Sequence, residues 1–251
     1  MVEIFTDEFL TYRVMQLLGD NNFSCRCMGQ GVIWCSGSLG LVHQVLSANL
    51  LFEVRRYLDK YILVFPDNCD RCQQVVDAFF SNKSFDYDQS VDQFRNIENI
   101  NNLFSIVRSC GLSENATILD YGCGSGVSAS IALPSSWTML GVDRCADMRC
   151  LASANGLSVL SPSEFNVSYL SHFDAIFSSY AMHLVYSTFD LRALWQSLRE
   201  NGVFVANFHK GYGVKRISLF FEQLGAVVVS APFSGNVYDH GPYIIFRKGS
   251  K

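Results

Sequence analysis

The sequence predicts an α/β fold: a seven-stranded, mostly parallel, doubly wound sheet with a C-terminal antiparallel hairpin, preceded by a mainly helical N-terminal module. Three observations carry this. From residue 116 onward short β-prone runs alternate with amphipathic helical runs, the pattern of a parallel sheet covered on both faces. The first of those runs feeds a turn with glycine at three alternate positions, Gly122, Gly124 and Gly126. The last two runs are joined through Pro232, Gly235, Asn236, Gly241 and Pro242 with no helix between them, which suits an antiparallel hairpin. The expected boundary divides an N-terminal module, 1–90, from a sheet domain, 91–251.

The elements follow in order. Thr6 to Leu18 reads as a first helix and Leu41 to Leu58 as a second, with Leu41, Val45, Leu46, Phe52 and Val54 among its apolar positions. Tyr61 to Phe65 reads as a strand stopped by Pro66, which cannot donate to a ladder. Residues 91–110 predict a helix with Phe94, Ile97, Ile100, Phe104 and Val107 on its apolar face, ended by Gly111 in the manner of a C-cap. Ile118 and Leu119 begin the sheet, Trp137 to Val142 form its second run, and residues 145–154 a short helix. Leu157 to Leu160, Phe173 to Ser178, Gly202 to Phe208, Ala226 to Ser230 and Tyr243 to Arg247 supply five further strands. Phe189, Leu191, Leu194, Trp195 and Leu198 recur at helical spacing between the fourth and fifth strands. Val214, Ile217, Phe220, Phe221 and Leu224 do so between the fifth and sixth.

The glycine turn carries the chemistry. Alternating glycines let the backbone take positive φ and let a ligand approach where a Cβ would collide. Asp120 stands before the first glycine, and Asp143 closes the second strand 23 residues further on, well placed to accept hydrogen bonds from ribose hydroxyls. Dinucleotide sites use G-x-G-x-x-G with a helix N-terminus aimed at a pyrophosphate. This chain reads D-Y-G-C-G-S-G, and its leading carboxylate would repel a pyrophosphate. It favours a ligand with positive charge, such as an amino-acid ammonium or a sulfonium.

This segment resembles motif I of class I (Rossmann-like, seven-stranded) S-adenosylmethionine-dependent methyltransferases, and Gly141-Val142-Asp143 resembles their ribose-binding second motif. The resemblance covers residues 116–248. It implies a cofactor set of Asp120, Tyr121, Gly122, Cys123, Gly124, Gly126, Asp143, Arg144, Met148, Ser163, Glu164 and Ser178. In that set Asp120 and the glycines hold the methionine ammonium and let the cofactor lie against the backbone, Arg144 and Cys145 with Met148 frame the adenine, and Ser163 or Glu164 meets its amino group. After the fourth strand the chain reads Ser178-Ser179-Tyr180-Ala181-Met182-His183, without the Asp/Asn-Pro-Pro-aromatic sequence of enzymes that methylate exocyclic amines, so an oxygen or carbon acceptor is expected. His183, Tyr180 and His209, at strand ends, are the candidate bases, and His240 lies in the hairpin loop. A base is needed only where the acceptor must lose a proton.

Composition sets the limits. The 251 residues are 49% hydrophobic and 17% charged, which indicates a folded protein. Residues 116–251 carry ten Lys/Arg against nine Asp/Glu, and residues 1–115 nine against fourteen. Neither part is the basic platform that nucleic-acid binding uses. The start, MVEIFTDEFL, lacks the basic-then-apolar layout of a signal peptide, no apolar window is long enough for a membrane span, and nine cysteines without a leader suit a reducing, cytoplasmic compartment.

Cys25-x-Cys27 and Cys69-x-x-Cys72 raise a structural zinc site, since four thiolates can close a tetrahedron. Residues 61–90 loosely resemble the zinc-binding N-terminal domain of sugar C-methyltransferases. In the alternative reading Cys72, Val75, Val76 and Phe79 face a core, where free cysteine behaves as a small hydrophobe. The leading functional expectation is a methyltransferase acting on an oxygen or carbon of a small molecule, with the N-terminal module as a lid or acceptor-binding cap. The alternatives are an RNA (cap or tRNA) methyltransferase and a catalytically silent scaffold subunit.

Overall fold

The computed structural model describes residues 1–29, 31–49, 52–58, 60–66, 69–184, 186–231 and 236–249, with backbone only at 69, 70, 88, 90 and 167. The chain divides into two compact units, Met1–Asp86 and Tyr87–Lys251. Among the described residues no helix is long and apolar enough to cross a membrane.

The first unit is built on a sheet, where a mainly helical module was expected. Its strands are β1 (Val2–Phe5), β2 (Cys25–Gly29), β3 (Val32–Cys35), β4 (Phe52–Tyr57) and β5 (Tyr61–Pro66), in the order β2-β3-β1-β5-β4. Only β1 and β5 pair in parallel. Helices α1 (Glu8–Asp20), α2 (Leu39–Ser47) and α3 (Cys69–Lys83) accompany them. The Asp7 carboxylate caps α1 by accepting from the N–H groups of Phe9 and Leu10, and Ser38 caps α2. The helix expected over 41–58 stops at Ser47. Phe52 and Val54, two residues apart, both pack on the core of Ile4, Val14, Ile33 and Ile62, a period that belongs to a strand.

The expected zinc site finds no support among the described residues. Among the described residues no group of three or more His, Cys, Asp or Glu is placed to hold a metal. Cys25 sits directly opposite Cys35 across the β2–β3 ladder, and its thiol donates to Cys35 Sγ at 3.1 Å. Burial, with Cys25 beside it, pushes the Cys35 thiol up to about 12. Cys27 is exposed. Cys72 is buried with Val75, Val76 and Phe79 and donates to the Pro66 carbonyl. The side chain of Cys69 lies outside the described residues.

The second unit contains α4 (Tyr87–Ser90), α5 (Gln93–Ser109), α6 (Ala146–Ala154), α7 (Pro162–Ser168), α8 (Thr188–Ser197) and α9 (Val214–Gln223). Its strands are β6 (Thr117–Tyr121), β7 (Thr138–Val142), β8 (Val159–Leu160), β9 (Phe173–Ser178), β10 (Leu198–Asn207), β11 (Ala226–Ala231) and β12 (Tyr243–Lys248). They form one seven-stranded sheet in the order β11-β12-β10-β9-β6-β7-β8. The pairings from β10 through β8 are parallel, and β12 runs antiparallel to both β10 and β11. This is the expected mostly parallel sheet with its antiparallel hairpin. The strand order reverses at β6, and open α/β sheets bind ligands outside the carboxyl ends of the strands at such a point.

Two helices differ from expectation. α7 was not foreseen: the Ser161 hydroxyl and the Glu164 carboxylate cap each other's backbone N–H groups, with Pro162 at the first helical position. In α5, Phe94 and Ile97 of the expected apolar face are exposed, while Asn99 and Asn102 are buried beside Ile100, Leu103 and Phe104. Burying an amide requires partners, and both have them at the ends of the neighbouring strands. Asn99 Nδ2 donates to Ser179 Oγ and Asn207 Oδ1, and Asn102 Nδ2 to Asn236 Oδ1 and to the Tyr243 hydroxyl. Gly111, with φ +75°, follows the C-cap of α5.

Candidate cofactor and acceptor site

At the end of β6 the chain buries a carboxylate that meets no counter-charge among the described residues. Asp120 is 1% exposed, and its Oδ1 has no hydrogen-bond partner among the described residues. Burial pushes its carboxyl up to about 7, against the pull of Ser128 and with the help of the negative charge of Asp143.

The three glycines of the following turn all have positive φ, between +53° and +80°, yet they differ in what a side chain would meet. A Cβ on Gly122 would lie 2.5 Å from Ala181 Cβ, and one on Gly126 2.7 Å from Ala152 Cα. A Cβ on Gly124 would meet nothing within 4 Å. Gly122 and Gly126 therefore let the turn pack against its own unit, and Gly124 faces open space at the sheet's ligand edge.

Asp143 fixes the turn to the end of β7. Its Oδ2 accepts the Gly124 N–H and its Oδ1 the Cys145 N–H, each at 2.9 Å. Arg149 holds the Asp143 and Arg144 carbonyls. Arg144 stands 3.9 Å from Asp190.

Other residues of the expected cofactor set serve the scaffold through their side chains. Cys123 turns into a small core with Ala152 and Leu157, and burial pushes its thiol well above the ordinary range. Met148 is fully buried. Tyr121 is buried against Phe165 and Tyr186, and burial pushes its phenol up. The Ser178 hydroxyl donates to the Tyr121 carbonyl at 2.7 Å, tying β9 to β6. Glu164 is engaged by its cap, and Ser163 Oγ lies 3.0 Å from Ser161 Oγ.

The second cluster gathers at the ends of β9 and β10. Tyr180 has φ +51°, a strained value for an aromatic residue, and its N–H is held by Asn207 Oδ1 at 2.7 Å. Its ring centroid lies 6.0 Å from that of His209, and His209 lies 5.6 Å from His183. His183 is buried and His209 partly so. The three expected bases thus share one cluster, next to Ala181, which touches Gly122.

Sequence reasoning missed Arg95, Glu98, Asn99 and Asn207 in this cluster. Arg95 Nε donates to the Tyr180 hydroxyl at 3.1 Å. Glu98 Oε1 accepts from the N–H of Tyr238 and lies 2.7 Å from His240 Nε2. The signal was present: Arg95, Glu98, Asn99 and Asn102 recur at i, i+3, i+4 and i+7, a polar stripe along one face of α5.

Residues 119–206 match the family model described as a methyltransferase domain. Among solved structures, the chain resembles a chain of the complex between the Haloferax volcanii Trm112 methyltransferase activator and a methyltransferase. The TM-score is 0.54 and the identity 13%, over 68% of this chain and 98% of that one. It also resembles an S-adenosylmethionine-dependent methyltransferase from Methanococcus maripaludis, with a TM-score of 0.52 and 14% identity over 79% of this chain and 97% of that one. At such identities the likeness is one of fold. No curated protein matches the chain in sequence.

Proposed function

We propose, from the premise that this chain carries a methyltransferase domain of the class I S-adenosylmethionine-dependent fold, that it transfers the cofactor's methyl group to an oxygen or carbon of a small molecule. The observation that carries the reading is the buried, unpartnered Asp120 oxygen beside the open face of Gly124. A desolvated carboxylate with a pKa near 7 is poised for a ligand that brings a positive charge with it, and the cofactor's ammonium does so.

In this reading Asp120 and Gly122 to Gly126 receive the methionine end, Asp143 accepts the ribose hydroxyls, and Arg144 borders the adenine. Bound there, S-adenosylmethionine supplies an electrophilic methyl on a sulfonium. Tyr180, His183 and His209 form the acceptor side. The near-balanced charge of residues 116–251 supports a small acceptor over a polyanion. Calorimetry with S-adenosylmethionine and with its demethylated product tests the reading: binding to folded protein, abolished or weakened at least tenfold in Asp143→Ala, is expected. No heat from either ligand overturns it.

A further inference from the structure

The Tyr180 hydroxyl is the meeting point of three elements. Its oxygen is hydrogen-bonded to His240 Nδ1 and accepts from Arg95 Nε at 3.1 Å. His240 is 1% exposed, and its other ring nitrogen, Nε2, lies 2.7 Å from Glu98 Oε1. Glu98 also receives the N–H groups of Val237 and Tyr238. Burial alone would raise its carboxyl, but the bonds from His240 and from those two N–H groups bring it below the ordinary value. Glu98 is therefore an anion that only accepts. In the neutral imidazole the acceptor at Glu98 places the hydrogen on Nε2, which leaves Nδ1 bare to accept from the phenol.

We infer that Glu98, His240 and Tyr180 form a proton relay that makes the Tyr180 hydroxyl the base for a hydroxyl acceptor, with Arg95 steadying the phenolate. The inference rests on the methyltransferase reading for the identity of the reaction and on the geometry alone for the relay. As the acceptor oxygen bonds to the methyl carbon, the carbon–sulfur pair stays on sulfur. The acceptor's proton passes to Tyr180 Oη while the phenol's own proton passes to His240 Nδ1, and the imidazolium is balanced by Glu98. One lone pair on the phenol oxygen faces Arg95, and a second is needed for the acceptor's proton. Burial pushes the Tyr180 phenol up to about 12, so at neutral pH the free phenol keeps its proton and offers it to the imidazole. The positive φ of Tyr180, pinned by Asn207, and the bond from Asn207 Nδ2 to the His240 carbonyl at 2.9 Å fix both partners from one side chain. The charged and titratable groups around the relay are Arg95 and Glu98 on α5, His209 after β10, and Tyr238, Asp239 and Tyr243 on the segment carrying His240. Asp92 bears on it through Tyr238.

The test uses the full chain and needs no acceptor. A benzenesulfonyl fluoride is applied across a pH series, and labelled tyrosines are counted by peptide mass spectrometry. Tyr180 is expected to react at least tenfold faster than the exposed Tyr12. His240→Ala should remove that advantage, and Glu98→Gln, which keeps the hydrogen bond and loses the charge, should reduce it severalfold. A purely structural hydrogen-bond chain would leave Tyr180 no more reactive than Tyr12, and that result overturns the relay. A second readout needs no variant: nitrogen NMR of wild-type His240 should show hydrogen on Nε2 and none on Nδ1, and the opposite tautomer overturns the relay. Calorimetry with S-adenosylmethionine separates the two readings. Binding with an unreactive Tyr180 defeats the relay alone, whereas a reactive Tyr180 without binding defeats the methyltransferase reading.

Discussion

At the scale of the residue, Asp120 makes a measurable signature. Its carboxyl titrates near 3.8 when free and about 7 in the folded unit. Between those values the folded state holds a proton that the unfolded state has lost, so stability falls as pH rises through the window and stays lowered above it. Urea unfolding at pH 5 and pH 8 should reveal a loss of about 1 to 4 kcal/mol from this group, and Asp120→Asn should abolish that slope while weakening cofactor binding at least tenfold. The glycines give a second contrast. Gly124→Ala should fold, with a cost of about 1 to 2 kcal/mol for a left-handed alanine, and lose cofactor affinity in calorimetry. Gly126→Ala should lose stability more steeply in the same melt, because its methyl meets the backbone of Ala152. Both acids and all three glycines were legible in the sequence, because local spacing alone positions them. The bond from Gly124 to Asp143 was not, since it depends on the register between β6 and β7.

At the scale of the element, α5 shows why its face was misread. Apolar spacing picked out Phe94 and Ile97, which are exposed, because a helix beside a polar site buries amides as well as hydrocarbon. Asn99→Leu should cost about 1 to 3 kcal/mol in urea unfolding, since Ser179, Asn207 and Tyr243 each lose a partner. The short helix α7 was missed for the opposite reason. Its few apolar residues give no period, yet Ser161-Pro162-Ser163-Glu164 spells a capping box, and Ser161→Ala should lower stability by about 1 kcal/mol in a thermal melt. In the first unit, β1 to β4 are short or weakly apolar. They become strands through pairing with distant partners, which single-chain periodicity does not report.

At the scale of the whole molecule, the cores of the two units draw on separate stretches of chain, and the residues proposed for cofactor binding, relay and acceptor side all fall within 87–251. That segment produced alone should fold, judged by circular dichroism, and bind S-adenosylmethionine within about threefold of the full chain, because the proposed cofactor residues are all retained. The reversed direction of β12 has a consequence for how the second unit delivers its side chains. Parallel strands bring only their last residues to the carboxyl edge, which is how Tyr180 and Asn207 arrive. A strand running the other way enters the sheet at that edge, so the residue before its start arrives there as well. Had β12 run with its neighbours, His240 would stand roughly 20 Å away at the opposite rim, given about 3.3 Å per residue over six residues. The hairpin therefore does more than finish the sheet: it folds a late stretch of chain back so that an incoming end and two outgoing ends meet over the same few ångströms.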